Sequence, residues 1–245
     1  MTSASPNRSP LLKMAGVSAG YGEMTVLRDI SMEIYPSEIV AMVGSNGAGK
    51  TTMLRALSRL IDSTGETTFE GKSLTGLHPD QVFELGMVQV PEGRQLFDRM
   101  SVQDNMLMGA HRRTHASRAE IQRDLDDMYA LFPRMAERRK QLAGSMSGGE
   151  QQMCAMARAM MAKPKLLMVD EMSLGLAPII VDQLMDILVD IRGKGVTVLL
   201  VEQDIHLALA TADRGYVIET GSIVQQGPSA DLINDPALQK AYLGL

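Results

Sequence analysis

The stretch IVAMVGSNGAGKTTML, residues 39–54, decides the fold of this chain. Its first five residues form a continuous apolar run, which is typical of a β-strand buried on both faces. Glycines follow at Gly44, Gly47 and Gly49, and a helical pattern extends from Lys50 to about Ile61. A buried strand, a glycine-rich loop and a helix in this order predict a β-loop-α unit of an α/β protein.

The loop GSNGAGKT, residues 44–51, matches the pattern of a phosphate-binding loop in the context that this motif requires. Backbone amides at the positive end of a helix hold polyphosphate, and the glycines let the chain curl so that these amides converge. Lys50 is expected to reach the β- and γ-phosphates, Thr51 to offer its hydroxyl to Mg²⁺, and Thr52 to lie near the α-phosphate. The predicted nucleotide-binding residues of the loop are Gly44, Ser45, Asn46, Gly47, Ala48, Gly49, Lys50, Thr51 and Thr52.

Two acidic residues end a second buried strand in LLMVDE, residues 166–171. Carboxylates at the end of a buried strand are costly unless they meet a cation or a reacting group. Asp170 is expected to hold Mg²⁺, directly or through water, and Glu171 to polarise the attacking water as general base. Two solvated acids after a strand are the alternative interpretation.

The stretch SMSGGEQQ, residues 145–152, looks like half of a phosphate-binding loop. Ser147 is a natural N-cap for a helix running from about Glu150 to Ala162, and Gly148 and Gly149 expose backbone amides at its positive end. Such an end can bind one terminal phosphate but not a whole nucleotide. A glycine-softened helix start is the alternative.

The remaining pattern predicts alternating strands and helices, hence a parallel sheet with right-handed crossovers. Residues 11–17 and 26–34 predict an antiparallel opening sheet, and residues 65–74 and 216–227 predict hairpins. Strand patterns are missing between about 98 and 163, where SVQD and SRAE fit the capping box at helix starts. The prediction is one domain, residues 11–245, with a helical subdomain at about 98–163 and a flexible tail at residues 1–10.

Composition excludes several classes of function. The net charge of −5, without a lysine-rich or arginine-rich tract, argues against nucleic-acid binding. The only cysteine, Cys154, rules out an internal disulfide framework and fits a reducing compartment such as the cytoplasm. No apolar run approaches the roughly 20 residues that span a bilayer, so a role at a membrane would require a partner.

The phosphate loop, SGGE and VDE occur in this order and resemble the nucleotide-binding subunit of an ATP-binding cassette (ABC) transporter over about residues 11–244. The resemblance implies a P-loop NTPase (RecA-like) core, an N-terminal antiparallel β subdomain and a helical subdomain that carries the signature motif. It also implies ATP and Mg²⁺ as ligands. Ser147, Gly148, Gly149 and Glu150 would form the signature motif, which closes on the γ-phosphate of ATP bound to a second subunit.

Other positions carry over from the family one at a time. Tyr21 lies where an aromatic side chain stacks on adenine, although a structural tyrosine in a turn is the alternative. Ser173, Leu174 and Gly175 match the loop through which each subunit senses the opposite site. Met172 replaces the proline that usually follows the two acids.

Two departures from the family pattern affect the predicted chemistry. Glu92 stands where a glutamine is usual, so it can approach Mg²⁺ or a water while adding negative charge that Arg94 could offset. Gln203 stands where a histidine is usual. Its amide can hydrogen-bond the γ-phosphate but cannot take up a proton, which strengthens the case for Glu171 as the base, whereas His206 is expected on a solvated face. The predicted catalytic residues are Lys50, Glu171 and Gln203, and the predicted Mg²⁺ ligands are Thr51, Asp170 and Glu92.

Several segments narrow the resemblance to the second ATPase subunit of bacterial branched-chain amino acid importers, whose relatives serve other hydrophobic amino acids, amides or urea. These segments are VPEGR, SLGLAP, LVEQ, ADRGYV and a terminal AYLG. The implied partners are a second ATPase subunit, identical or a sister chain, two membrane permeases and, indirectly, a periplasmic binding protein. The implied location is the cytoplasmic face of the inner membrane, with a permease helix received near Glu92, Arg94 and residues 96–100.

The sequence leaves other functions open. A nucleic-acid ABC ATPase is expected to show tandem cassettes, a coiled-coil insertion or zinc-binding cysteines, which this sequence lacks. A phosphate-loop kinase would not need SGGE. The closest alternative is the ATPase of a lipid or lipopolysaccharide exporter, or of a urea or amide importer.

Overall fold

The computed structural model describes residues 9–240. Most of the predicted tail at residues 1–10, and the whole of AYLG at residues 241–244, lie outside the described residues. The chain divides into two compact units. Of the described residues, the first unit comprises 9–82 and 203–240, and the second comprises Phe83–Glu202.

The described elements follow the order that the sequence predicts. The strands are β1 (Leu12–Tyr21), β2 (Met24–Ile34), β3 (Ile39–Val43), β4 (Ser63–Phe69), β5 (Lys72–Ser73), β6 (Met87–Val90), β7 (Leu166–Asp170), β8 (Thr197–Glu202), β9 (Arg214–Glu219) and β10 (Ser222–Pro228). The helices are α1 (Lys50–Leu57), α2 (Pro79–Glu84), α3 (Val102–Met108), α4 (Arg118–Leu131), α5 (Pro133–Glu137), α6 (Gly148–Met161), α7 (Pro178–Gly193), α8 (Ile205–Thr211), α9 (Ser229–Ile233) and α10 (Pro236–Leu238).

An antiparallel sheet opens the first unit, with the strand order β2-β1-β4-β5. Along β1, alternate residues are buried, but the alternation shifts at Gly16, where a bulge separates Met14 from Val17. Gly16 has a φ of 61°, a conformation that glycine adopts without steric cost. The predicted opening sheet and the hairpin of residues 65–74 are confirmed.

The first unit also contains three strands in the order β10-β9-β3. β3 pairs with β9 in parallel, and β9 pairs with β10 in antiparallel fashion. All five residues of β3 are buried, as expected for a strand covered on both faces. The predicted end of α1 at Ile61 is wrong, because the helix ends at Leu57 and Arg59 then adopts a left-handed φ of 57°.

Three parallel strands, in the order β8-β7-β6, form the sheet of the second unit. Every residue of β7 and β8 is buried. From 98 to 163 the described structure contains α3 to α6, a short 3₁₀ helix (Ala143–Ser145) and one isolated bridge between Ser101 and Leu142. α6 contributes Met153, Cys154, Met156 and Met160 to the buried core.

The two capping boxes predicted in the helical segment, SVQD and SRAE, differ in outcome. Ser117 caps α4 in a complete capping box with Glu120. Ser101 accepts a hydrogen bond from the Asp104 amide, but the Asp104 carboxylate accepts from the Ser101 hydroxyl. Aspartate is one methylene shorter than glutamate. SVQD therefore forms half of the predicted box.

Within residues 9–240, none of the helices combines the length and the apolar character needed to cross a bilayer.

Candidate functional site

The phosphate loop lies between β3 and α1 in the first unit. Lys50 is the first residue of α1, and the preceding Gly49 has a φ of 112°. α1 has no side-chain cap and no acidic residue in its first turn. The first amides of any α-helix lack intrahelical acceptors and carry partial positive charge, so this helix end suits an anion.

Glycine is required at two positions of this loop. A Cβ atom at Gly44 would lie 2.3 Å from the carbonyl oxygen of Ile218, and one at Gly49 would lie 2.8 Å from Leu27 Cδ2. The backbone of the loop therefore packs directly against β9 and β2. A larger residue at either position would displace the loop and, with it, the amides at the start of α1.

The Lys50 side chain closes over the loop. Its Nζ donates hydrogen bonds to the carbonyl oxygens of Gly44, at 2.8 Å, and Ser45, at 3.1 Å. Lys50 is only 3% exposed. These contacts hold the ammonium group at the start of the loop.

Tyr21 lies at the end of β1 with 41% of its surface exposed. Arg55 donates a hydrogen bond to its hydroxyl at 3.0 Å, and the Arg55 guanidinium lies 5.9 Å from the ring centroid. Burial raises the pKa of Tyr21, but the hydrogen bonds with Thr52 and Arg55 outweigh burial and lower it below its ordinary value. Tyr21 also borders an open cleft of about 620 Å³ within the first unit. Residues of α1 thus fix the hydroxyl while part of the ring stays accessible.

The two acids after β7 belong to the second unit. Asp170 is the last residue of the strand and is 2% exposed. Glu171 follows with a φ of 43°, and its amide donates to the carbonyl oxygen of Val201 at 2.8 Å. A left-handed conformation costs a residue with a side chain roughly 1–2 kcal/mol, so the surroundings hold Glu171 in this position.

The half loop starts α6 in the same unit. Ser147 accepts a hydrogen bond from the Glu150 amide, and the Glu150 carboxylate accepts from the amide and the hydroxyl of Ser147, at 3.0 and 2.8 Å. Glu150 also pairs with Arg138 Nε at 2.7 Å. Burial raises the pKa of Glu150, but its bonds with Ser147 and the charge of Arg138 outweigh burial and lower it. The predicted N-cap is confirmed, and the structure adds a full capping box with Glu150 that the sequence analysis did not assign here.

Arg94 is the residue whose placement sequence reasoning missed. Its Nη1 donates to Gln151 Oε1 at 3.3 Å, and a Cβ at Gly148 would lie 3.1 Å from its Nη2. The sequence analysis assigns Arg94 to offsetting the charge of Glu92, which is exposed, and to the region that receives a permease helix. The structure shows that Arg94 also adds positive charge at the N-terminus of α6. No spacing rule links residues 94 and 148, so the sequence held no signal for this contact.

The predicted site residues therefore form two groups. The first unit holds Tyr21, the phosphate loop with Thr51 and Thr52, and the exposed Gln203. The second unit holds Glu92, the half loop from Ser147 to Glu150, Asp170 and Glu171. His206 is exposed, as expected for a solvated face.

Comparison with known proteins identifies the family. The family model described as "ABC transporter" matches residues 27–173. The chain is 45% identical to the high-affinity branched-chain amino acid transport ATP-binding protein BraG of Pseudomonas aeruginosa, over 96% of this chain and 100% of BraG. It is 31% identical to the probable branched-chain amino acid transport ATP-binding protein LivF of Archaeoglobus fulgidus, over 96% of this chain and 99% of LivF.

Solved structures share the fold. A nucleotide-free ATP-binding cassette from an ABC transporter matches with a TM-score of 0.84 and 22% identity, over 97% of this chain and 100% of that one. An ATP-binding subunit of an ABC transporter matches with a TM-score of 0.80 and 25% identity, over 96% of each chain. The predicted α/β fold, a P-loop core with an antiparallel β subdomain, is confirmed. This chain belongs to the ABC transporter family.

Proposed function

We propose that this chain is the ATP-hydrolysing motor subunit of a bacterial importer for branched-chain or other hydrophobic amino acids. The observation that carries the ATPase role is the start of α1, which has neither a side-chain cap nor an acid and begins with the buried Lys50. Membership of the ABC transporter family supports the same role. The names of BraG and LivF support the cargo class.

The phosphate loop and Tyr21 would bind ATP in this function. The amides of the loop and of the first turn of α1 would bind the phosphate oxygens of ATP. The Lys50 ammonium would neutralise the β- and γ-phosphates, and the partly exposed ring of Tyr21 would stack on adenine. ATP binding would therefore depend on the backbone geometry of the phosphate loop, which the glycines at 44 and 49 make possible.

The donors expected for Mg²⁺ fit that ion. Mg²⁺ is usually bound through one or two carboxylates together with substrate phosphates and waters. Asp170 places a buried carboxylate at the end of β7, Thr51 offers a hydroxyl in the first turn of α1, and Glu92 offers an exposed carboxylate. When bound, Mg²⁺ would neutralise phosphate charge during hydrolysis.

Glu171 is proposed to act as the general base. Its left-handed backbone turns the chain immediately after β7, and the bond from its amide to Val201 holds that turn. The carboxylate would take a proton from the attacking water, which adds to the γ-phosphorus as the bond to the β-phosphate oxygen breaks. The Gln203 amide would donate a hydrogen bond to the γ-phosphate and leave proton transfer to Glu171.

The half loop is proposed to act on ATP held by a second ATPase subunit, either an identical copy or a sister chain. The positive end of α6 and the Arg94 guanidinium beside Gly148 would meet the γ-phosphate. Such a contact forms only with ATP present, so binding would favour dimer closure and hydrolysis would favour opening. Two permeases would convert this cycle into transport at the cytoplasmic face of the inner membrane, and a periplasmic binding protein would deliver the cargo.

The test replaces Lys50 by alanine, with Lys72→Ala as the matched control. Lys72 is exposed in β5, and no phosphate contact is assigned to it. Losing a charge-assisted phosphate contact worth roughly 1.5–3 kcal/mol should weaken ATP affinity or turnover by about 10- to 150-fold in Lys50→Ala. Lys72→Ala should match the unaltered protein in fluorescent-nucleotide binding and phosphate release.

The same pair of variants tests the cargo in proteoliposomes that contain the permeases and the binding protein. Leucine uptake should depend on ATP and should fall with the ATP turnover in Lys50→Ala. Hydrolysis at the unaltered rate in Lys50→Ala would contradict the phosphate loop. ATP-dependent uptake of urea or amides without leucine, or export of lipopolysaccharide, would contradict the amino-acid cargo while leaving the ATPase role intact.

A further inference from the structure

Three hydrogen bonds connect the loop after β7 to the end of β8 within the second unit. The Glu171 amide donates to the Val201 carbonyl oxygen at 2.8 Å. The Ser173 amide donates to Glu202 Oε1 at 3.0 Å, and the Ser173 hydroxyl donates to Glu202 Oε2 at 2.8 Å. Both carboxylate oxygens of Glu202 therefore hold one residue, two positions after the proposed base. We call this arrangement the Glu202 clamp.

Burial makes the Glu202 clamp strong. Glu202 is 1% exposed, and a carboxylate at such a site is tolerated only when hydrogen bonds replace its hydration. Hydrogen bonds to an ionised group are roughly twice as strong as bonds between neutral groups. The clamp therefore anchors Ser173 in a loop that is otherwise open to solvent, since the next residue, Leu174, is 56% exposed.

The segment that the clamp holds needs such a constraint. Glu171 is in a left-handed conformation that persists only where neighbouring contacts impose it. Met172 packs its side chain in the core, but methionine does not restrict its own backbone as proline would. The bonds on either side of Met172, at Glu171 and Ser173, constrain the backbone together with the bond from the Leu174 amide to the Glu171 carbonyl oxygen at 3.4 Å.

We propose that Glu202 is a positioning residue for ATP hydrolysis. It holds Ser173, and through Ser173 it keeps the carboxylate of Glu171 oriented and the start of the loop Ser173–Gly175 in place. This role rests on the proposed function of Glu171 as general base. Glu202 does not contact the reacting atoms in this proposal, and its effect is on turnover rather than on ATP affinity.

Two substitutions at Glu202 weaken the clamp to different extents. Glu202→Ala removes both bonds to Ser173 and should lower kcat about 10- to 100-fold with KM for ATP changed by less than about threefold. Glu202→Gln keeps one oxygen that can accept from the Ser173 amide, and its own NH₂ can donate to the Ser173 hydroxyl. The glutamine variant should therefore recover most of the lost turnover.

Glu38→Ala is the matched control for loss of a buried carboxylate. Glu38 is buried in the first unit, where Oε1 accepts from the Tyr35 amide at 2.7 Å and pairs with Arg214 at 3.1 Å. This variant should lose stability in urea unfolding while keeping kcat. Hydrogen exchange of the peptide spanning residues 171–175 should accelerate in Glu202→Ala and stay unchanged in Glu38→Ala.

Ser173→Ala covers the case in which Glu202→Ala does not fold, since it removes only the hydroxyl bond and should lower kcat by a smaller factor than Glu202→Ala. Unchanged kcat in a folded Glu202→Ala, or in Ser173→Ala if the former does not fold, would overturn the positioning role. A rise in KM with kcat unchanged would also overturn it. If the unaltered protein does not hydrolyse ATP, the proposed function fails instead, and unchanged exchange at residues 171–175 then overturns the clamp independently.

Discussion

Cys154 illustrates how the core determines the chemistry of a single residue. The thiol is fully buried in α6, within 3.9 Å of the Val102 carbonyl oxygen. Burial raises its pKa to about 12, and the charge of Arg158 opposes this only in part. Since the thiolate is the nucleophile, the native thiol is expected to be inert at neutral pH.

This prediction is simple to measure because the chain has one cysteine. With a pKa of about 12 instead of roughly 8.5, the thiolate fraction at pH 8 falls on the order of 10³-fold, so labelling by a disulfide reagent should be slow until denaturant is added. The unfolded thiol also ionises first as pH rises, so this group should reduce the free energy of unfolding above about pH 8.5. Rapid labelling of the native protein would contradict the buried thiol.

Arg94 and Gln95 show strain at the scale of single residues. Both have left-handed backbones, with φ values of 65° and 45°. Arg158, on α6, donates to both of their carbonyl oxygens, at 3.0 and 2.7 Å. α6 therefore contacts this segment at two places. Arg158 binds the backbone of Arg94 and Gln95, and the first turn of α6 contacts the Arg94 side chain.

The N-termini of α1 and α6 differ in their capping. α1 has no side-chain cap, whereas α6 has a complete capping box that satisfies two amides within the chain. α4 has the same box, formed by Ser117 and Glu120. The starts of α4 and α6 are therefore stabilised in the same way, but only the start of α6 is assigned a role with ATP.

This pair separates stability from function. Ser117→Ala and Ser147→Ala should each lower the free energy of unfolding by about 1 kcal/mol, because each removes an N-cap acceptor. Only Ser147→Ala should also reduce ATP turnover at saturating ATP, since the start of α6 is proposed to meet the phosphate of a second subunit. Urea unfolding and phosphate release measure the two effects. Unaltered turnover in Ser147→Ala would contradict the role proposed for the half loop.

At the scale of the whole molecule, each copy carries a phosphate loop and a half loop, which the proposed function assigns to different nucleotides. Glu171→Gln should bind ATP but turn it over far more slowly, so the closed dimer should persist. Its mass in solution should rise from 26.6 kDa to twice that value when MgATP is added. Light scattering gives this mass directly.

The control for dimer formation is the double variant Lys50→Ala with Glu171→Gln, which should remain monomeric with MgATP. A Glu171→Gln protein that binds ATP yet stays monomeric would contradict pairing between like chains. It would indicate a sister ATPase as the obligatory partner.

Much of the fold could be predicted because its signals are local. The continuous apolar runs of β3, β7 and β8, the phosphate loop and the S-x-x-E helix starts each depend on residues within a few positions of one another. Local rules failed at the end of α1, where the helical pattern continued past Leu57 but Arg59 turned the chain. They failed again at Asp104, where the capping geometry depends on one methylene.

The sequence by itself determined the order of strands and helices, the phosphate loop, the cap at Ser147 and the family. Only the tertiary structure decided that Lys50 closes on Gly44 and Ser45, that Arg94 lies against Gly148, and that Glu202 holds Ser173. The physical reason is that periodicity and capping act between near neighbours in the chain. The contacts of Lys50 span few positions but follow neither rule, since they depend on how the loop folds back on its helix. The contacts of Arg94 and Glu202 join residues tens of positions apart, which only the packing of complete strands and helices brings together.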